Sequence, residues 1–182
     1  MRALVIKLAR NIRTSGTITP SSRFLIERLL KPIDFSSATS IVELGAGTGC
    51  VTRALLDRMS PTCELTCVEV DEEFVELCAR IDDPRLTVYH ACATELKGVL
   101  SRSGILGADY IVSSVPLSIL DEDVADEILE VAQSCLRPRG KFLQYQYSPA
   151  YLRKLTARYS KVRVGFTLRN IPPAFVYECV TA

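Results

Sequence analysis

The stretch Ser40-Ile41-Val42-Glu43-Leu44 running straight into Gly45-Ala46-Gly47-Thr48-Gly49 constrains this chain more than any other. A short apolar and β-branched run reads as a buried strand, and three glycines at alternate positions behind it cannot extend a strand or start a stable helix. They make a turn whose backbone takes positive φ and comes close to a ligand. Cys50 to Met59 then reads as a helix whose N-terminus faces the same ligand.

A second strand, Leu65 to Asp71, ends in carboxylates and places Glu69 20 residues beyond Gly49. The ends of adjacent parallel strands lie side by side, so Glu69 falls beside the glycine turn, where a carboxylate accepts two hydrogen bonds from a ribose diol. Asp71, Glu72 and Glu73 also suit the first turn of a helix, so the acidic run serves either purpose. Spacing separates the possible ligands. Dinucleotide turns favour G-x-G-x-x-G, whereas G-x-G-x-G behind an acid, here Glu43, is the form associated with S-adenosylmethionine.

Downstream, strand and helix alternate, the pattern of a parallel sheet with helices on both faces. The expected elements are a helix over Glu72–Arg80, a strand over Leu86–His90, a short helix around Thr94–Leu100 and a strand over Tyr110–Ser113. A long amphipathic helix over Asp121–Leu136 follows, broken by Arg137-Pro138-Arg139-Gly140 before a strand over Lys141–Tyr147. After a helix over Tyr151–Tyr159, Lys161–Leu168 and Ala174–Val180 read as an antiparallel pair joined by a proline-containing loop. The order is that of an α/β, Rossmann-like class I methyltransferase with seven strands, mostly parallel, an antiparallel C-terminal hairpin and an added N-terminal amphipathic helix. Residues 1–34 read as a helical extension, either a lid or a membrane-contact segment, and residues 35–182 as the methyltransferase domain.

At 182 residues and 48% hydrophobic content, the chain buries a core without staples. No apolar run approaches the ~20 residues of a spanning helix, and the N-terminus lacks a signal-peptide core, so the expected location is cytoplasmic. Seven cysteines are scattered, odd in number and without C-x-x-C pairs. Buried thiols rather than a metal site are expected.

Charge is distributed unevenly. Met1 to Lys31 holds seven basic residues and one acid, while the rest of the chain carries 15 basic and 20 acidic residues. On a helix, Met1, Leu4, Val5, Leu8, Ala9 and Ile12 share one side and Arg2, Lys7, Arg10 and Arg13 the other, with Ile6 out of pattern. That is the form of an interfacial helix on an anionic bilayer, and equally of a lid with a solvated basic face.

Five segments, Gly16–Arg23, the glycine turn, Ser113-Ser114-Val115-Pro116-Leu117, Gln144-Tyr145-Gln146-Tyr147 and Arg169-Asn170-Ile171-Pro172-Pro173-Ala174, make the chain resemble the bacterial soluble phospholipid N-methyltransferases. That family acts on phosphatidylethanolamine and is related in sequence to rRNA adenine dimethyltransferases. The likeness runs from about Gly16 to the C-terminus. It implies cofactor contacts at Ser22, Arg23, Glu43, Gly45, Ala46, Gly47, Thr48, Gly49, Glu69, Val70, Cys92, Ala93 and Ser113. It implies substrate contacts at Pro116, Leu117, Tyr145, Arg169 and Asn170, with Tyr147 and Ser113 nearest the chemistry. Two departures stand out. Cys92 occupies a position where the family has an acid for the adenine amino group, so the backbone of Cys92 and Ala93 is expected to serve, and Ser114 stands where glycine is usual.

Adenine N-methyltransferases place Asn or Asp, prolines and an aromatic ring after the fourth strand to clamp a flipped base. Ser113-Ser114-Val115-Pro116-Leu117 offers no such clamp. Tyr145 and Tyr147 alternate onto one face of a strand, where aromatic rings attract a methylated ammonium. His90, which ends a strand, reads as structural. The expected activity is methylation of the amine of phosphatidylethanolamine or its partly methylated forms, at a membrane surface held through the N-terminal helix, with a phospholipid rather than nucleic acid as the expected partner and no metal. RNA adenine N6-methylation and a non-catalytic lipid-surface or cofactor sensor are the alternatives.

Overall fold

A computed structural model describes residues 21–182, and the helix expected over Met1–Arg13 lies outside them. Strands β1 (Ser40–Leu44), β2 (Glu64–Glu69), β3 (Leu86–His90), β4 (Ala108–Ser113), β5 (Leu136–Gln146), β6 (Lys161–Thr167) and β7 (Ala174–Val180) form one sheet in the order β3-β2-β1-β4-β5-β7-β6. The first five are parallel, and β7 runs antiparallel to both β5 and β6. All five residues of β1 are buried, as a central parallel strand covered on both faces requires.

Helices α1 (Arg23–Leu30), α2 (Cys50–Leu56) and α3 (Glu72–Ala79) cover one face, where Leu25, Leu29, Leu55 and Cys78 pack on Ile41, Leu65, Val112 and Leu143. Helices α4 (Leu96–Arg102), α5 (Glu122–Ser134) and α6 (Leu152–Arg158) cover the other, packing Leu96, Ile128, Leu129 and Leu155 on Val42, Leu44, Ile111 and Phe142. Helix α1 lies within the residues read as an extension, yet it is packed into the fold. Leu25, Leu29 and Leu30 are fully buried and the helix touches β5, β6 and β7. Burial of each leucine stabilises the fold by roughly 1.5–3 kcal/mol.

Several boundaries differ from expectation. Helix α5 ends at Ser134, and Leu136 already pairs with Ala108 as the start of β5. The Arg137–Gly140 segment is therefore a bulged part of the strand, with Pro138 lacking an N–H, Arg139 at φ 63° and regular pairing resuming at Lys141–Tyr110. Helix α2 stops at Leu56, and the short helix near Thr94 is a 3₁₀ turn over Ala93–Glu95 followed by α4. The order reverses between β1 and β4, so the C-terminal ends of β2, β1, β4 and β5 frame a crevice at that switch point.

Candidate active site

Gly45, Gly47 and Gly49 take φ of 76°, 52° and 78°, which side chains other than glycine rarely adopt. The turn is stitched to the sheet by the Gly45 N–H donating to Val68 O at 2.9 Å. A Cβ on Gly45 would stand 3.4 Å from Val115 Cγ2, so this glycine admits the loop behind β4. Among the described residues, a Cβ on Gly47 would meet nothing within 4 Å. Gly47 therefore opens onto unfilled space, the room a ligand needs.

Glu69 ends β2 with its side chain across this turn. One carboxylate oxygen accepts the Gly47 N–H at 2.9 Å, and the other accepts the N–H groups of Val70 and Asp71 at 2.7 and 2.9 Å. Burial raises its pKa, and the backbone donors pull the other way. Asp71 caps α3 by accepting the Glu73 and Phe74 N–H groups. Asp71 thus starts the helix, as the acidic run suits, while Glu69 lies against the glycine turn.

Glu43 lies beneath the turn and is fully buried. Its Oε2 accepts the Thr52 hydroxyl of α2 at 2.7 Å and the Cys67 thiol of β2 at 3.1 Å, while Oε1 is buried without a partner among the described residues. Desolvation pushes its carboxyl up to about 7, against the pull of both hydrogen bonds. Cys92 is buried, and its N–H donates to Glu95 Oε2 at 2.8 Å, so of the two backbone groups expected to meet the cofactor one is already held. The His90 Nε2 lies 3.1 Å from Val70 O, tying β3 to the end of β2.

The Ser113–Leu117 segment crosses the turn, with the Ser114 N–H donating to Leu44 O at 2.9 Å. Ser113 is fully buried and its hydroxyl accepts the Val115 N–H at 3.3 Å, so it shapes the loop. Leu117 is fully buried and its carbonyl accepts the Tyr151 hydroxyl at 3.0 Å, leaving Pro116 as the partly exposed member of the expected pair. The sequence reading assigned no role to Gln144 and Gln146. Both are buried, and both donate Nε2 to Val115 O at 2.9 Å. Two amides at alternate positions of an interior strand are the signal that finds them, because buried polar groups require partners.

Tyr145 and Tyr147 do share a face, with ring centroids 5.8 Å apart and edge-to-face. Tyr147 is 39% exposed, and its phenol is pushed up to about 12, first by desolvation. The hydroxyl of Ser21 donates to Tyr145 Oη at 3.3 Å. Beside them, the Ser22 N–H donates to Asn170 Oδ1 at 3.0 Å and its hydroxyl to Arg169 O at 2.8 Å, while Asn170 Nδ2 donates to Pro172 O at 2.8 Å. Arg23 and Arg169 lie 4.7 and 5.0 Å from the ring centre of Phe24. Ser22, through its hydrogen bonds, and Phe24, through the Arg169 cation, are thus tied to the β6–β7 loop, and Arg23 lies against the same ring.

A family model described as a methyltransferase domain matches residues 42–142. The chain belongs to this methyltransferase family. It is 31% identical to the ornithine lipid N-methyltransferase of Singulisphaera acidiphila over 167 residues, covering 90% of this chain and 87% of that one. The fold is similar to the N-methyltransferase NodS of Bradyrhizobium japonicum WM9 in complex with S-adenosyl-L-homocysteine, with TM-score 0.66 at 16% identity and 88% of each chain covered. An O-methyltransferase of Bacillus cereus, also in complex with that product, superposes with TM-score 0.70 at 14% identity over 97% of this chain and 90% of that one. The protein is an S-adenosylmethionine-dependent N-methyltransferase. Its residues fit the cofactor: among the described residues Gly47 faces open space and Glu43 keeps an unpartnered acceptor beneath the turn, and Glu69 supplies a carboxylate at the end of β2.

Among the described residues no group of three or more His, Cys, Asp or Glu is placed to hold a metal, and no helix is long and apolar enough to cross a membrane. All seven cysteines are free thiols, six of them buried.

Proposed function

We propose that this methyltransferase methylates the amine of a membrane aminolipid, phosphatidylethanolamine or its partly methylated forms, while peripherally bound to an anionic bilayer on the cytoplasmic side. The observation that carries this reading is the tyrosine pair at the C-terminal end of β5, with Arg169 and Asn170 pinned beside it by Ser22. Aromatic faces attract an ammonium that becomes permanently charged on methylation, by roughly 0.5–2 kcal/mol each. A guanidinium at Arg169 suits the acidic group of the same headgroup.

The bound cofactor supplies an already activated methyl on a sulfonium, so the protein mainly aligns a neutral amine and excludes water. In this reading Glu69 and the glycine turn would hold the ribose end of the cofactor. Gln144 and Gln146 hold the Ser113–Leu117 loop against the turn. Tyr147, with its phenol raised to about 12, stays protonated at neutral pH, so it orients the amine through its ring and hydroxyl. The amine proton leaves to water or to the anionic group of the substrate.

A second reading, methylation of an ornithine lipid, draws support from the 31% identical relative that carries that name. Its headgroup presents a carboxylate in place of a phosphate, and Arg169 accommodates either. The test is to incubate the protein with cofactor labelled in its methyl group and, in separate arms, vesicles with phosphatidylethanolamine, vesicles with ornithine lipid, or ribosomal RNA. Label in the first lipid supports the main reading and label in the second its alternative. Label only in RNA overturns both.

A further inference from the structure

Of the seven large apolar side chains exposed among the described residues, four lie together: Val164 at 46%, Phe166 at 44%, Leu168 at 74% and Ile171 at 82%. Such clustering within one edge strand and its loop differs from the scattered exposure normal for a soluble surface. β6 is the outermost strand of the sheet, and its loop to β7 returns beside the end of β5, where Phe175 pairs with Gln146. Leu168 and Ile171 therefore stand at the mouth of the active site, on either side of Arg169 and Asn170.

The same edge is basic. Phe24, Arg28, Phe166, Leu168 and Arg169 line a cleft of about 440 Å³. The Arg28 guanidinium crosses β6 at Gly165, where a Cβ would come within 2.7 Å of its Nε, so glycine lets the cation lie on the strand. Arg23 and Arg169 flank Phe24. Among the described residues no carboxylate forms an ion pair with Arg23, Arg28 or Arg169.

We propose that the β6 edge and the β6–β7 loop form a bilayer-contact surface, with Leu168 and Ile171 entering the headgroup–acyl boundary and the neighbouring arginines meeting lipid anions. Aliphatic side chains on the same edge as arginines gain from both halves of an anionic interface. RNA would engage the arginines and stack on Phe24 or Phe166, but it gains little from the two most exposed side chains of the patch, Leu168 and Ile171, which a bilayer buries. A second copy of the chain would set arginines against arginines. This surface deepens the aminolipid reading, on which it rests, by turning the site mouth toward the headgroups, but its bilayer contact is measurable without turnover.

The chain has no tryptophan, so Leu168→Trp introduces a single reporter. Its emission should shift to the blue and be quenched by acyl-brominated lipid in phosphatidylglycerol vesicles, and respond weakly to phosphatidylcholine vesicles. Unchanged emission with anionic vesicles overturns the surface. The double variant Leu168→Asp with Ile171→Asp should lose about tenfold or more in anionic-vesicle affinity. Its methylation of vesicle-borne aminolipid should fall in step, while S-adenosylhomocysteine affinity and methylation of a dissolved short-chain aminolipid stay within about twofold. Equal losses on vesicle-borne and dissolved substrate overturn the proposal. If the parent methylates no aminolipid, the aminolipid reading fails, and the tryptophan response alone still decides the surface. Binding of ribosomal RNA without any tryptophan response to vesicles also overturns it.

Discussion

Gly47 and Glu69 are joined by one hydrogen bond, and each has a distinct reason to be what it is. Arginine at position 47 would be strained at φ 52° and would fill the open side of the turn. Alanine at position 69 would remove the acceptor of three backbone donors and, in the proposed reading, of the ribose diol. Calorimetry with S-adenosylhomocysteine should show losses of about a hundredfold or more, about 2.7 kcal/mol, for Gly47→Arg and Glu69→Ala. Cys92→Ala should lose less than about tenfold. Undiminished affinity in both of the first two variants would displace the cofactor from this crevice. Glu43 makes a separate prediction through pH. Its carboxyl is raised from 4.5 to about 7, so its contribution to stability is fully present below pH 4.5 and is lost as pH rises through about 7. The loss is of order 3 kcal/mol across that window. Urea unfolding at about pH 5 and about pH 8 should therefore show the parent losing more stability than Glu43→Gln; parallel behaviour would mean that the buried acid does not titrate this way.

At the scale of elements, β5 does more than extend the sheet. Its two glutamines grip a single carbonyl, that of Val115, and so fix the loop behind β4 relative to the glycine turn. Removing one donor by Gln146→Met should cost about 1 kcal/mol of stability and lower kcat for methyl transfer by about tenfold, while leaving S-adenosylhomocysteine affinity nearly unchanged. A parallel fall in cofactor affinity would show that the grip shapes the turn itself. The bulge at the start of the same strand shows the opposite influence: pairing with β4 retains Leu136 despite Pro138 and the positive φ of Arg139. Turn-forming residues mark an irregularity, and neighbouring strands decide whether it interrupts the ladder.

For the whole molecule, the proposed orientation on a bilayer draws on two regions far apart in sequence. The first 31 residues carry the basic excess, and the β6–β7 loop brings exposed aliphatic groups to the site mouth. Basic residues near an anionic membrane contribute about 1 kcal/mol each, so reversing both Arg10 and Arg13 to Glu should weaken sedimentation with anionic liposomes by far more than about tenfold. Added salt should act in the same direction, and neutral liposomes should bind poorly throughout. Cofactor affinity is the control for folding. A folded, cofactor-competent variant that still sediments like the parent would make the N-terminal segment a poor candidate for the anchor.

The glycine turn, the acid one strand later and the alternation of apolar runs were enough to read the parallel sheet, its antiparallel end and the cofactor class, because these depend on local backbone freedom and side-chain periodicity. The pairing of Tyr145 with Tyr147 was legible for the same reason, since strand alternation alone puts them on one face. Strand order brought Gln144 and Gln146 to Val115, and the packing of α1 brought Ser22 to Arg169 and Asn170. Those contacts join residues 29 to 148 positions apart. No local pattern encodes such pairs; they follow from which apolar faces bury one another, and buried polar groups then find partners in whatever that packing sets beside them.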